Sequence, residues 1–279
     1  MPALRYVTCD VFTDTPLAGN QLAVFTDARA LSDTLMQALA LEVGYSETVF
    51  VVPPEQGGHA RLRIFTPGFE LPFAGHPVLG TAFVLGAPLQ LGAIELETGR
   101  GTVSVLLERD ESGRIVFGRM DQPVPTVEPF AETEALFTAL GVAGSIAPVE
   151  LYDNGARHLL VTLPTAGAVE SLAPDRAALA AFDVTGVSCF ARDGARWKTR
   201  MFWERGEDAA TGSAAGPIAC HLARHDLVAW GEEIVISQGA EIGRPSVLHA
   251  RADGGAGLID AVEVGGQAVV VARGEYRLP

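Results

Sequence analysis

Two short stretches carry residue types able to hold an anion and move a proton: "FAGHPVLG" around His76 and "EDAATGSAAG" around Asp208. Each sets a glycine (Gly75, Gly212) before a polar residue (His76, Ser213), followed by small or apolar residues that read as a helix. Pro77 suits a first helical position and Ser213 suits an N-cap. The first N–H groups of a helix have no partner in its own ladder, and a preceding glycine lets a ligand approach them closely. Two such starts aimed into one cleft would receive a carboxylate without any lysine or arginine. A third stretch, "YSETVFVV", sets Glu47 at the head of an apolar strand. A free glutamate is a weak base, with a reference pKa of about 4.3. Enclosure among Val49 and Phe50 would raise it toward neutrality, where the group could take up and return a proton. Residue type alone leaves plainer roles open: an exposed acid at a strand start for Glu47, a helix cap for His76, loop decoration for Asp208.

Other constellations read as structural. His221 and His225 have the i, i+4 spacing of a zinc-binding helix, but Leu222 stands where a zinc protease would carry Glu and no third ligand is apparent in the sequence. They are therefore expected on a helix face, with no metal. Cys220 matches an apolar position of the repeat described below and is expected to be a buried thiol. Arg63 and Arg200 are expected to pair with acids at strand ends and are left out of the site. Lys198 is the only lysine, so any Schiff-base chemistry would have to run through it. "GRGTVS" lacks the third glycine of a dinucleotide fingerprint, and no Walker A or GxSxG motif occurs. The expected cofactor is none.

The elements that must position these residues are mostly strands. "RYVTCDVF", "QLAVFTD", "ETVFVV", "ARLRIF" and "GTVSVLLE" in the first half, and "RHLLVTL", "RWKTRMFW", "EEIVISQG" and "QAVVVAR" in the second, are β-branched and aromatic runs bounded by Gly, Pro or Asp. "SDTLMQALALEVG" predicts a helix closed by Gly44, and further helices are predicted after Pro77, at 131–140, at 174–181 and after Ser213. Residues 63–85 align without a gap on residues 200–222, at an offset of 137, with Arg63/Arg200, Phe65/Phe202, Gly75/Gly212, Ala82/Ala219 and Leu85/Leu222 identical. That offset is close to half of the 279 residues and predicts a duplicated strand-loop-helix plan. The Pro-rich "MDQPVPTVEPF" (120–130) is expected to separate the two copies by interrupting helix and sheet alike.

Composition narrows the function classes. With 48% hydrophobic residues the chain can bury a large core, and a formal charge of -14 argues against nucleic acid or an anionic membrane surface as partner. Three widely spaced cysteines suggest neither a disulfide framework nor a thiolate metal site. No run of 18 apolar residues and no secretory leader pattern occurs, so the expectation is a cytoplasmic protein.

"DVFTDTPLAGNQLAVF", "YSETVFV", "FAGHPVLGTAFVL", "EDAATGSAAG" and "SQGAEIGRPS", in that order along nearly the whole chain, resemble the phenazine-biosynthesis PhzF-like isomerase/epimerase family. The resemblance implies an α+β fold like that of diaminopimelate epimerase: two pseudo-symmetric lobes, each a β-barrel-like sheet around a central helix, with the active site in the cleft between. Lobes of 1–124 plus about 264–279, and of 125–263, follow from it. It further implies that Glu47 is the general acid/base, that His76 and Asp208 flank the substrate, and that Gly75, Gly212, Ser213 and Asn20 bind it. Where the epimerases carry a catalytic cysteine pair, this chain has Ala74 and Ser213, which excludes two-cysteine racemisation. Gln21 and Ala209 replace the proline of many relatives. The expectation is a cofactor-independent isomerase of a small carboxylate-bearing molecule, with isomerisation of trans-2,3-dihydro-3-hydroxyanthranilate as the family precedent and a homodimer as the family's assembly. An amino-acid epimerase without cysteines and a non-catalytic carboxylate-binding protein are the alternatives.

Overall fold

The computed structural model describes residues 3–203 and 206–278. It is an α+β chain, strand-rich with six α-helices among the described residues: α1 (Asp33–Val43), α2 (Gly75–Leu89), α3 (Thr133–Leu140), α4 (Ala166–Glu170), α5 (Arg176–Leu179) and α6 (Gly212–Arg224). None is long and apolar enough to cross a membrane. The chain falls into two compact units, Met1–Asp121 with Gly265–Pro279, and Gln122–Val264.

In the first unit the strand Leu4–Val11 lies between Ala268–Tyr276 and Asn20–Phe25, antiparallel to both. Asn20–Phe25 runs parallel to Glu47–Val52, which pairs antiparallel with Ala60–Phe65. Ala60–Phe65 then runs parallel to Ala93–Thr98, followed by the antiparallel Gly101–Arg109 and Ile115–Gln122. These strands enclose α2, which touches five of them from Leu4–Val11 round to Gly101–Arg109 and also meets Ala268–Tyr276. Because it is covered on every side, α2 is apolar all round and buried from Gly75 through Phe83. On the outside, α1 begins at Ser32, whose hydroxyl accepts from Leu35 N–H, and ends at Gly44 in the left-handed conformation, as its sequence predicts. Met36, Leu39 and Ala40 pack against Phe25, Phe50 and Phe65.

The second unit repeats the plan. Glu150–Asp153 pairs with Arg157–Thr162, which runs parallel to Gly186–Asp193; that pairs with Arg196–Trp203, which runs parallel to Ile234–Gln238, followed by Ser246–Gly255. Short hairpin strands sit at matching places: Phe65 pairs with Glu70 in one unit and Phe202 with Glu207 in the other. The identities seen in the sequence then acquire a cause. Arg63 holds Glu70 and lies over the Phe65 ring, while Arg200 holds Glu207 and lies over the Phe202 ring. Residues 204 and 205 of the second copy lie outside the described residues.

Some local expectations are corrected. The segment 120–130 does not simply interrupt the sheet, because Thr126–Pro129 forms a strand on Glu150–Asp153. Pro129 is tolerated at the end of that strand, where its missing N–H matters least. The helix expected at 174–181 is one short turn, α5, capped by Asp175, and α4 was not anticipated from "TAGAVE". Both helices of the repeat start earlier than the proline and serine suggested. Ala74 and Thr211 occupy the N-cap positions, so Pro77 is the third helical residue and Ser213 the second. The counterpart of Ala74 is therefore Thr211 rather than Ser213, and neither position carries a thiol.

Candidate active site

Glu47, His76, Asn20 and Gly75 are brought together within the first unit. Glu47 opens its strand beside Leu22 of the neighbouring parallel strand. Its Oε2 is buried without a hydrogen-bond partner and lies 3.5 Å from His76 Nε2, the second residue of α2. Asn20 Nδ2 is 3.4 Å from His76 Nδ1, and Ser46 Oγ donates to Asn20 Oδ1 at 3.3 Å. Asn20 is placed by Gly19, whose φ is 66° and where a Cβ would come within 2.4 Å of the Val11 carbonyl oxygen, so only glycine fits. Burial raises the Glu47 carboxyl to about 7, against a smaller opposing pull from Ser46. A carboxyl tuned in this way is populated in both forms near neutrality, which a proton shuttle needs.

Asp208, Gly212 and Ser213 are brought together within the second unit. Thr211 Oγ1 donates to Asp208 Oδ2 at 2.7 Å, and Gln238 donates to the Asp208 carbonyl and to Thr211 Oγ1, both at 2.9 Å. The Thr211 N–H donates back to Gln238 Oε1 at 3.1 Å. Gly239 follows at φ 79°, with no room for a Cβ between the carbonyls of Ala209 and Arg244. At the start of α6, Gln122 donates to the Gly212 carbonyl at 2.8 Å and Asn154 to the Ser213 carbonyl at 2.9 Å. The buried Ser213 hydroxyl is 2.9 Å from His158 Nε2. Burial lowers His158 to about 4, so the ring is neutral at physiological pH. The N–H groups of Gly75, Gly212 and Ser213 precede the first helical bonds and offer donors for an anion.

Sequence reasoning missed Ser46, Gln122, Asn154, His158 and Gln238. Gln238 is visible as the middle residue of "SQG", and Asn154 as part of the "DNG" turn. His158 gave no local signal, because its partner is 55 residues away. The residues set aside behave structurally. Lys198 is ion-paired to Glu241. Cys9, Cys189 and Cys220 are buried free thiols, with Cys189 and Cys220 pushed up to about 12 by burial. Arg200 also donates to the carbonyls of Glu170 and Leu172, so it is bound up in the fold. His221 and His225 do have a carboxylate neighbour, Glu150, supplied by a distant strand that their helical spacing cannot reveal.

Comparison with known proteins decides the family. The family described as "Phenazine biosynthesis-like protein" matches residues 9–274. The chain belongs to it. Within this phenazine biosynthesis-like family, a trans-2,3-dihydro-3-hydroxyanthranilate isomerase of Pseudomonas aeruginosa is 50% identical over 98% of this chain and 99% of its own. The enzyme of that name from Pseudomonas chlororaphis is 49% identical over 97% of this chain and 98% of its own. A solved PhzF-family phenazine biosynthesis protein of Bacillus anthracis, 24% identical, superposes with a TM-score of 0.86 and full coverage of both chains, a likeness in fold. This member of the phenazine biosynthesis-like family is an isomerase with the two-lobe, epimerase-like fold.

Proposed function

We propose that this isomerase acts on trans-2,3-dihydro-3-hydroxyanthranilate, the compound named for the relatives half identical to it over essentially their whole length. Glu47 takes a proton from a ring carbon, the charge delocalises through the conjugated system into the carboxylate, and the proton returns at another carbon. The observation that carries this reading is the Glu47 carboxyl, buried and raised to about 7 with His76 Nε2 3.5 Å away. A buried acid of that kind disfavours its own charged form and so readily accepts and releases a proton. His76 steadies the carboxyl, and Asn20 in turn orients the imidazole. Asp208, held by Thr211, is a second polar group at the substrate, and Gly75, Gly212 and Ser213 donate to its carboxylate. In this reading the lobes are 1–124 with 264–279, and 125–263, and the chain works as a cytoplasmic homodimer. The three free thiols support the reducing compartment.

The test is to incubate the protein with this compound in deuterated water and to follow carbon-bound hydrogen by NMR. Isomerised product with deuterium at a single new carbon is expected, together with loss of exchange in Glu47→Gln. Activity retained in Glu47→Gln would overturn the assignment of the base. Chiral analysis of product distinguishes epimerisation, and mass measurement in solution tests the dimer.

A further inference from the structure

The second unit holds a three-sided cluster that the isomerase reaction does not use. Glu150 Oε2 lies 2.9 Å from His225 Nε2 and 3.3 Å from His221 Nδ1, and the three atoms lie within 4.8 Å of one another. The histidines come from the last turn and C-terminal cap of α6, eight or more residues beyond Ser213 and so about 12 Å along the helix axis. We propose that Glu150, His221 and His225 form a binding site for a divalent transition-metal ion of the zinc type.

Four features carry this. A tetrahedral ion with bonds of about 2.1 Å to nitrogen and oxygen has ligands about 3.4 Å apart; the Glu150–His221 separation of 3.3 Å already matches that spacing, and the Glu150–His225 hydrogen bond of 2.9 Å opens by about half an ångström to admit the ion. The lone pair of the inner histidine already faces the cluster: His221 Nε2 is 3.2 Å from Thr162 Oγ1, which can take the ring's N–H and leave Nδ1 to ligate. Outer contacts of this kind orient metal-bound histidines. Glu150 is steadied in the same way, with Tyr152 OH donating to Oε2 at 2.9 Å and Arg224 Nη2 3.5 Å from Oε1. The arginine therefore lies against the oxygen that the ion would not use. His221 is fully buried while the His225 side chain is 21% exposed, which gives an ion an entry from solvent at the carbonyl end of a helix, the end that attracts cations. Binding replaces the hydrogen bond between His225 and Glu150, and water completes the coordination. Such an ion would tie α6 to the strands Glu150–Asp153 and Arg157–Thr162.

The test uses full-length protein freed of metal with a chelator and titrated with Co2+, then with Zn2+ in competition. The expected result is a saturable visible absorption band of tetrahedral cobalt at one equivalent, displaced by Zn2+, and a rise in Tm with Zn2+. Affinity should fall by more than about tenfold in His225→Ala and in Glu150→Gln, and remain unchanged in His59→Ala, a histidine of the first unit. Circular dichroism checks that the variants are folded. If His225→Ala does not fold, His225→Gln keeps the cap position polar for the same comparison. The proposal is overturned by the absence of a saturable band in the wild-type protein, or by a band that survives loss of both His225 and Glu150.

Discussion

In the proposed reaction Glu47 links activity and stability through one proton. Its carboxyl is raised to about 7 in the folded chain from an ordinary 4.5, so between those values the folded state holds the proton more tightly than the unfolded state. The stability this contributes is complete below about pH 4.5 and is lost as pH rises toward 7, a change of about 3 kcal/mol for a shift of this size. Glu47→Gln should therefore abolish solvent exchange yet raise Tm by several degrees at pH 8, and the gain should vanish near pH 4.5. Calorimetry at the two pH values checks this. The acid limb of the wild-type rate should follow the same group, with turnover rising through about pH 7 as the base form appears. At Ser213 the neutral imidazole of His158 fixes the hydroxyl. His158→Leu should raise KM about fivefold, the worth of roughly one hydrogen bond of 1 kcal/mol, with kcat little changed. A fall in kcat alone would contradict a binding role for the hydroxyl.

At the scale of elements, one repeated arginine does two different jobs. Arg200 and Glu207 are nearly enclosed, with side chains 10% and 8% exposed, whereas Arg63 and Glu70 stand at 21% and 38%. Removing one partner of a buried pair strands the other's charge, at a cost of about 3–5 kcal/mol. An exposed pair contributes about 0–1 kcal/mol. Arg200→Met should thus destabilise the chain severely in denaturant melts while Arg63→Met changes little. Equal effects would show that the repeat conserves energetics as well as topology. The sequence made the repeat legible because strand, turn and helix-start residues are local signals with a fixed offset. It did not reveal that Arg200 fastens α4 through the carbonyls of Glu170 and Leu172, since those contacts join segments about 30 residues apart.

For the whole molecule, the chain's two ends must meet before the first unit is complete. Leu4–Val11 pairs with Ala268–Tyr276, and Cys9 faces Val270 in that ladder. Deleting 265–279 should leave Cys9 open to thiol reagents under native conditions while Cys189 and Cys220, in the second unit, stay protected. Titration with a chromogenic disulfide checks this, and three protected thiols in the truncated chain would refute it. The sequence by itself determined the family and the duplicated plan with its helix starts free of lysine and arginine, and it singled out Glu47 as the candidate base, because each is written in short motifs whose chemistry is local. Only the tertiary structure decided that Glu47 is buried enough for its carboxyl to be raised, that Ser213 lies inside its helix beside His158, and that Glu150 joins the two histidines of α6. Desolvation and long-range pairing depend on which segments fold against one another, and no spacing along the chain encodes them.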